Sequence, residues 1–424
     1  MSKAQQLSSK RIPTPMAHYA QGSKVGDLIF LAGQIASDYK TGVPAELGRQ
    51  PGYPFYGSDI KAQARYVLEN LRALLEDAGS DLDHVVKAQV FILDCALFSE
   101  FDEVWKEFFS TPPPRTTVET GPHGLLVPGT LVEIDLIAVS KDAATQPEAV
   151  QSSSAAQPIA AYTPAVRWGD FIFPAGQLAT DFGEGGIAPE ARVDPAFPYY
   201  ASEIERQTEY TLNNLRALLE DAGSDLDHVV KAQVFLKDLN DFWEFDSIWR
   251  EHFDSPPPRT TLQIGDVLIG GALIEIDLIA VGKDVTPEVV TTDAAPRPKA
   301  NYNQAVIAGD LVFLAGQLAS DFKTGVPPEA TVDPSFRFYG SEIESQTEYV
   351  MQNMKAVLEA SGSSLDNVVK AQTFLTDIDD FHGYDKIWKR HFSSPPPRTT
   401  IELAGDGLLV PGTKVEIDLI AVRD

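Results

Sequence analysis

The feature that most limits the fold is that the chain says the same thing three times. Leu71–Phe91 reads LRALLEDAGSDLDHVVKAQVF, and Leu215–Phe235 repeats it without a change. Met354–Phe374 is a diverged copy, MKAVLEASGSSLDNVVKAQTF. PPPRTT stands at Pro112–Thr117, Pro256–Thr261 and Pro395–Thr400. VEIDLIAV at Val132–Val139 returns as IEIDLIAV from Ile274 and VEIDLIAV from Val415, and LAGQ from Leu31 returns as PAGQ from Pro174 and LAGQ from Leu314. Motif order is constant, and the arginines of PPPRTT lie 144 and 139 positions apart. That spacing is a whole small domain rather than the roughly 20–50 residues of a solenoid repeat. We expect three domains, 1–145, 146–288 and 289–424. Polar Ala/Ser/Thr/Pro-rich stretches at Asp142–Pro158 and Asp284–Lys299 read as linkers.

Periodicity gives a coarse fold for one copy. Val166–Phe173, with Gly169-Asp170 in the middle, reads as a tight hairpin. Ser202 with Glu205 three residues on is a capping box for a helix; Ser341 and Glu344 repeat it, whereas Lys61 weakens the cap of the first copy. Ile60, Ala64, Val67, Leu71, Leu74 and Ala78 share one helical face, and Gly79 ends the helix. A strand at Val85–Leu93 and a second helix near Phe98–Phe109 follow. The apolar Phe101, Val104, Trp105 and Phe108 of that helix read as core. Strands at Thr116–Thr120 and Leu131–Val139 complete the copy, the last alternating Val132, Ile134, Leu136 and Ala138 against Glu133, Asp135 and Ile137. The order β-β-α-β-α-β-β predicts an α+β domain with both helices on one sheet face. The other face needs cover, which three sheets around a pseudo-threefold axis would give each other.

Composition narrows the partners. The 424 residues carry 34 basic and 61 acidic side chains, a net charge of −27. Such a surface repels phosphate backbones and anionic lipid, so neither nucleic acid nor a membrane is expected as a partner. Cys95 is the single cysteine, the seven histidines show no ligand spacing, and no metal is expected. With no apolar signal core and no run of about 20 apolar residues, a cytoplasmic location is expected.

LAGQ after a hairpin, KAQVF on the middle strand, PPRTT and VEIDLIAV, in that order and three times over, resemble the Rid (YjgF-like) family. The resemblance covers nearly the whole chain. It implies ferredoxin-like or chorismate-mutase-like domains assembled as a trimer around a central barrel, here within one chain that acts as a monomer. It also implies active sites in the clefts between subunits, and cofactor-independent hydrolysis of 2-enamino or 2-imino acids to 2-keto acids and ammonia. The family's key arginine falls on Arg115, Arg259 and Arg398, whose planar fork suits a substrate carboxylate. Its acidic residue falls on Glu133, Glu275 and Glu416, implied to hold the attacking water. Its pocket tyrosine falls on Tyr19, Tyr162 and Tyr302, and its pocket glycine on Gly33, Gly176 and Gly316. Thr117, Thr261 and Thr400 stand where a small polar residue lines the site.

Three departures bear on the substrate. Asp102, Asp246 and Asp385 replace a pocket asparagine, and a carboxylate there opposes an anionic substrate unless it is paired or protonated. Each copy inserts a loop before its first helix, Tyr53–Ser58, Phe197–Ser202 and Phe336–Ser341, ending in Tyr56, Tyr200 or Tyr339; these rings either pack on the domain or lid the pocket. The segment before each arginine is short. Three other functions fit the same residues. One is a different C–N hydrolase or a lyase acting on a carboxylated ring or keto substrate, and another is a non-catalytic small-molecule binding protein. The third is a ribonuclease, against which the charge speaks.

Overall fold

The computed structural model describes residues 4–424 except 50–51, 54–56, 153–154, 157, 184–185 and 406. In the first copy the strands are β1 (Gln5–Leu7), β2 (Gly22–Val25), β3 (Leu28–Leu31), β4 (Gln34–Ile35), β5 (Val85–Ile92), β6 (Arg115–Glu119) and β7 (Val132–Val139). The helices are α1 (Asp59–Asp77) and α2 (Phe98–Phe108). Along the sheet the order is β1-β2-β3-β7-β5-β6, with β4 also pairing β7. Only β5 and β6 run parallel. The other copies repeat this plan.

Local chemistry explains most boundaries. Gly169 takes φ 55° in the hairpin turn, and Gly79 takes φ 81° just past α1, both in the left-handed region that glycine enters at no steric cost. The Ser202–Glu205 capping box forms, and Ser58 caps α1 through the Lys61 amide. Ser341 makes no side-chain cap, and the Glu344 side chain pairs with Lys386 at 2.8 Å. The segments read as linkers are not idle. Glu148–Val150 and Glu288–Val290 pair as edge strands of the second and third sheets. They are too short to show a period, and they cover the hairpin's otherwise unpaired edge.

The last strand departs from simple alternation: all eight residues of β7 are buried. Val132, Ile134, Leu136 and Ala138 face α1 and α2 in the first copy's own core. Ile137 and Val139 enter a cluster shared by all three copies, with Phe173 and Ile279 from the second and Phe313 and Ile420 from the third. A second shared cluster gathers Phe91, Phe235 and Phe374 with Val118, Leu262 and Ile401. Each sheet therefore buries its free face against the other two, as the repeats require. The sheets remain separate hydrogen-bonded units among the described residues, joined by isolated bridges Ala20–Pro397, Val118–Val267 and Leu125–Ile401. The ring closes where the third copy meets the first: the Trp388 indole donates to the His18 carbonyl at 2.9 Å, and Ser23 donates to the Val369 carbonyl at 2.6 Å.

On the axis between the sheets, Gln89, Gln233 and Gln372 form a closed hydrogen-bonded triangle at 2.5, 2.6 and 2.5 Å. Lys87, Lys231 and Lys370 pair across copies with Asp277, Asp418 and Asp135 at 2.7, 2.6 and 2.7 Å. This polar plug is buried and its charges are paired with one another, the condition under which a buried charge is tolerated. No helix among the described residues is long and apolar enough to cross a membrane.

Candidate functional sites

Each arginine of PPPRTT opens its strand and is buried; relative exposures are 4%, 2% and 2% for Arg115, Arg259 and Arg398. The strand presents it to α2 of the same copy. There Arg259 lies over Phe245 and Trp249, 4.8 and 5.0 Å from the ring centroids, and Arg398 lies 5.0 Å from Tyr384. The α2 aromatics are thus both core and the floor beneath a guanidinium.

Asp102, Asp246 and Asp385 do not face the substrate space. Their Oδ1 atoms accept from Nη2 of Arg115, Arg259 and Arg398 at 2.9, 2.7 and 3.0 Å. Burial would raise Asp102 and Asp385, but Lys106 and Lys389 together with the arginines outweigh it and hold both below the ordinary value. The opposition expected from a pocket carboxylate is removed by this pairing. The same aspartates reach into the neighbouring copy, where Asp385 accepts from the His18 amide at 3.4 Å and Asp246 from the Asn301 amide at 3.3 Å. With Nη2 engaged, Nη1 of all three arginines is buried and lacks a hydrogen-bond partner, as does Nε of Arg259 and Arg398.

The structure settles which residues meet. A cleft between the second and third copies is lined by Arg259 and Thr261 from one side and Tyr302 and Glu416 from the other, with a cavity of about 300 Å³. A cleft of about 170 Å³ between the third and first copies holds Arg398 and Thr400 with Tyr19, Gly33 and Glu133. In the remaining interface the Thr117 amide donates to Glu275, and Arg115 and Tyr162 both act electrostatically on that carboxyl or on each other. Gly176 lies against the same Glu275. Every arginine thus faces the glutamate, tyrosine and glycine of the next copy.

The glutamates are buried. Burial, then the neighbouring Asp135 or Asp418 carboxylate, pushes Glu133 and Glu416 up to about 8. Glu275 is pushed well above its ordinary value by burial and Asp277. Oε2 of Glu275 and Glu416 has no hydrogen-bond partner. Glycine is required beside each one, since a Cβ on Gly33, Gly176 or Gly316 would overlap Oε1 of Glu133, Glu275 or Glu416.

Residues outside the motif reading also shape the sites. Thr399 and Thr260 accept from the amides of Gly33 and Gly316 at 3.1 Å each. They donate to the axial Asp135 and Asp418 at 2.9 and 2.5 Å, so they tie each cleft to the polar plug. The signal was the first threonine of PPPRTT, which strand alternation turns away from the arginine's face. Tyr39 donates to or accepts from Tyr19 at 2.9 Å, where the other copies carry Phe182 and Phe322. In the second and third copies the aromatic inserts neither pack down nor line either cleft: Tyr200 is 86% and Tyr339 88% exposed, while Tyr56 of the first lies outside the described residues. Among the described residues no group of three or more His, Cys, Asp or Glu side chains is placed to hold a metal ion.

The model of the endoribonuclease L-PSP family matches the chain three times, over residues 9–140, 152–282 and 292–423. A RutC family protein of Saccharolobus solfataricus is 37% identical over 137 residues, which is 32% of this chain and 98% of that protein. A 2-iminobutanoate/2-iminopropanoate deaminase of Dermatophagoides farinae is 34% identical over 135 residues, 32% of this chain and 94% of that protein. The crystal structure of a chorismatase covers 80% of this chain and 93% of its own, with a TM-score of 0.50 at 12% identity, a likeness of fold alone.

Proposed function

Since this chain belongs to the endoribonuclease L-PSP family, also called Rid or YjgF-like, through all three of its repeats, we propose that its inter-copy clefts are hydrolytic deaminase sites. They turn 2-enamino and 2-imino acids into 2-keto acids and ammonia. The observation that carries this reading is the pairing, across a copy boundary, of a buried guanidinium with an unpartnered Nη1 and a buried glutamate with a raised pKa.

Unpartnered buried donors are costly and favour an incoming acceptor. Nη1 receives the C1 carboxylate of the substrate, while Asp102, Asp246 or Asp385 fixes the guanidinium plane. C2 of an imine is already electrophilic, so orientation and proton transfer are the main demands. The neutral glutamic acid protonates the imine nitrogen. The resulting glutamate takes a proton from water as its oxygen bonds to C2. The proton then passes to the nitrogen of the carbinolamine, the C2–N bond breaks, and loss of the hydroxyl proton leaves the 2-keto acid and ammonia. An enamine enters the same path after protonation at C3. Cavities of 170 and 300 Å³ suit small molecules, and a net charge of −27 disfavours RNA.

The test is ammonia release from 2-imino acids generated in situ by an amino acid oxidase. The full chain should accelerate release over the uncatalysed rate, and the variant Arg115→Lys/Arg259→Lys/Arg398→Lys should lose most of that acceleration, because lysine keeps the charge without the fork. Binding of 2-oxo acids with no acceleration from any 2-imino acid would replace this reading with a non-catalytic binding protein.

A further inference from the structure

The three clefts share one frame but not one rim, and the difference is in charge. The cleft between the second and third copies is lined by Lys299 and Lys323 in addition to Arg259. Among the described residues its single lining carboxyl is Glu416. Both lysines are exposed, and neither ammonium has an ion-pair or hydrogen-bond partner among the described residues. The cleft between the third and first copies is lined by one cation, Arg398.

Alignment of the repeats shows why. Lys299 precedes Ala300 and Tyr302 as Met16 precedes Ala17 and Tyr19, and as Ile159 precedes Ala160 and Tyr162. Met16 and Ile159 project into solvent with 79% and 69% exposure, so only one of three equivalent rim positions carries a charge. Lys323 follows Phe322, and Gly183 follows Phe182 in the second copy. Lys40 follows Tyr39 in the first copy but does not line its cleft. Tyr39 and Tyr19 line that cleft with two joined hydroxyls, and its volume is 170 Å³ against 300 Å³. In a chain of net charge −27, two unpaired cations at the mouth of the roomier cleft favour an incoming anion there.

Building on the deaminase reading, we propose that the cleft formed by the second and third copies is specialised for diacids. Its substrates are 2-imino acids whose side chain ends in a second carboxylate, and its products the matching 2-oxo diacids, with Lys299 and Lys323 reading that carboxylate while Arg259 holds the first. The other two clefts take substrates with neutral side chains. One chain thereby carries sites of two specificities, a division that a trimer of identical subunits cannot make.

Stable 2-oxo acids serve as probes, titrated calorimetrically into the full chain. For 2-oxoglutarate we expect one strong site per chain, about tenfold tighter than 2-oxobutanoate at that site in low salt, as two partly exposed charge pairs allow. The advantage should shrink at high ionic strength. Lys299→Met with Lys323→Gly substitutes exposed side chains for those of the sister copies, and it should reduce the diacid preference at least fivefold. Ile159→Lys with Gly183→Lys should add a second diacid site. Three equal diacid sites, or a preference indifferent to the lysine changes, would overturn the specialisation while leaving the deaminase reading standing. Failure of both probes to bind the parent chain would overturn this inference, whereas the deaminase reading stands or falls separately on ammonia release from 2-imino acids.

Discussion

Glu416→Gln separates the function of this residue from its cost. In the fold its carboxyl is pushed up to about 8 from an ordinary 4.5, by burial and then by Asp418. In the unfolded chain it ionises near the ordinary value. A raised carboxyl contributes its full stability below about 4.5, where both states are protonated, and that stability is lost as pH rises toward 8. At pH 7 the deficit spans two and a half pH units at about 1.4 kcal/mol each, or about 3 kcal/mol. Glutamine keeps an acceptor in the same place and cannot ionise. The variant should therefore match the parent near pH 4.5 and exceed it by up to about 3 kcal/mol at pH 7. Urea unfolding followed by fluorescence of buried Trp249 and Trp388 reads this as a midpoint gap that widens between pH 5 and pH 8. Turnover should move the other way. The cleft between the second and third copies should lose about 10²–10⁴-fold, and the parent's own rate should fall as pH rises through 8. Parallel midpoints for parent and variant across that range would refute the reasoning, since Glu416 would then ionise in the fold as freely as in water.

Arg259→Ala should destabilise the chain by about 3–5 kcal/mol, because it strands the buried Asp246 carboxylate with only Arg250 at 3.5 Å and the Asn301 amide at 3.3 Å. The denaturation midpoint checks this, and a fold as stable as the parent would show that the pair contributes nothing. Gly316→Ala forces Glu416 away from its position and should lower turnover in that cleft by about 10²-fold, a cost typical of displacing a reacting group by about 1 Å. Ammonia release measured with the other two clefts disabled by Glu133→Gln and Glu275→Gln isolates the effect, and an unchanged rate would free Glu416 from any role.

The helices, hairpins and most strand limits were legible because they obey local rules: the period of Ile60–Ala78, the capping box at Ser202, the turn glycine at 169. The short edge strands Glu148–Val150 and Glu288–Val290 were not, since three residues carry no period and their pairing is fixed by the hairpin beside them. The capping box expected at Ser341 does not form: the Glu344 side chain that would complete it pairs with Lys386, distant in sequence.

At the site, the sequence by itself determined which residue types recur: an arginine, a glutamate, a tyrosine and a glycine in each of three copies. Repetition also required that three half-covered sheets bury one another. Only the tertiary structure decided that Arg115 faces Glu275, Arg259 faces Glu416 and Arg398 faces Glu133. It also decided that the aspartates hold the arginines rather than meet the substrate, and that two lysines gather at one rim of three. The physical reason is that spacing along a strand or helix fixes only the direction in which a side chain points. Whether a charge finds a partner, and therefore whether it is structural or left free for a ligand, depends on surfaces that meet when separate copies close around the axis.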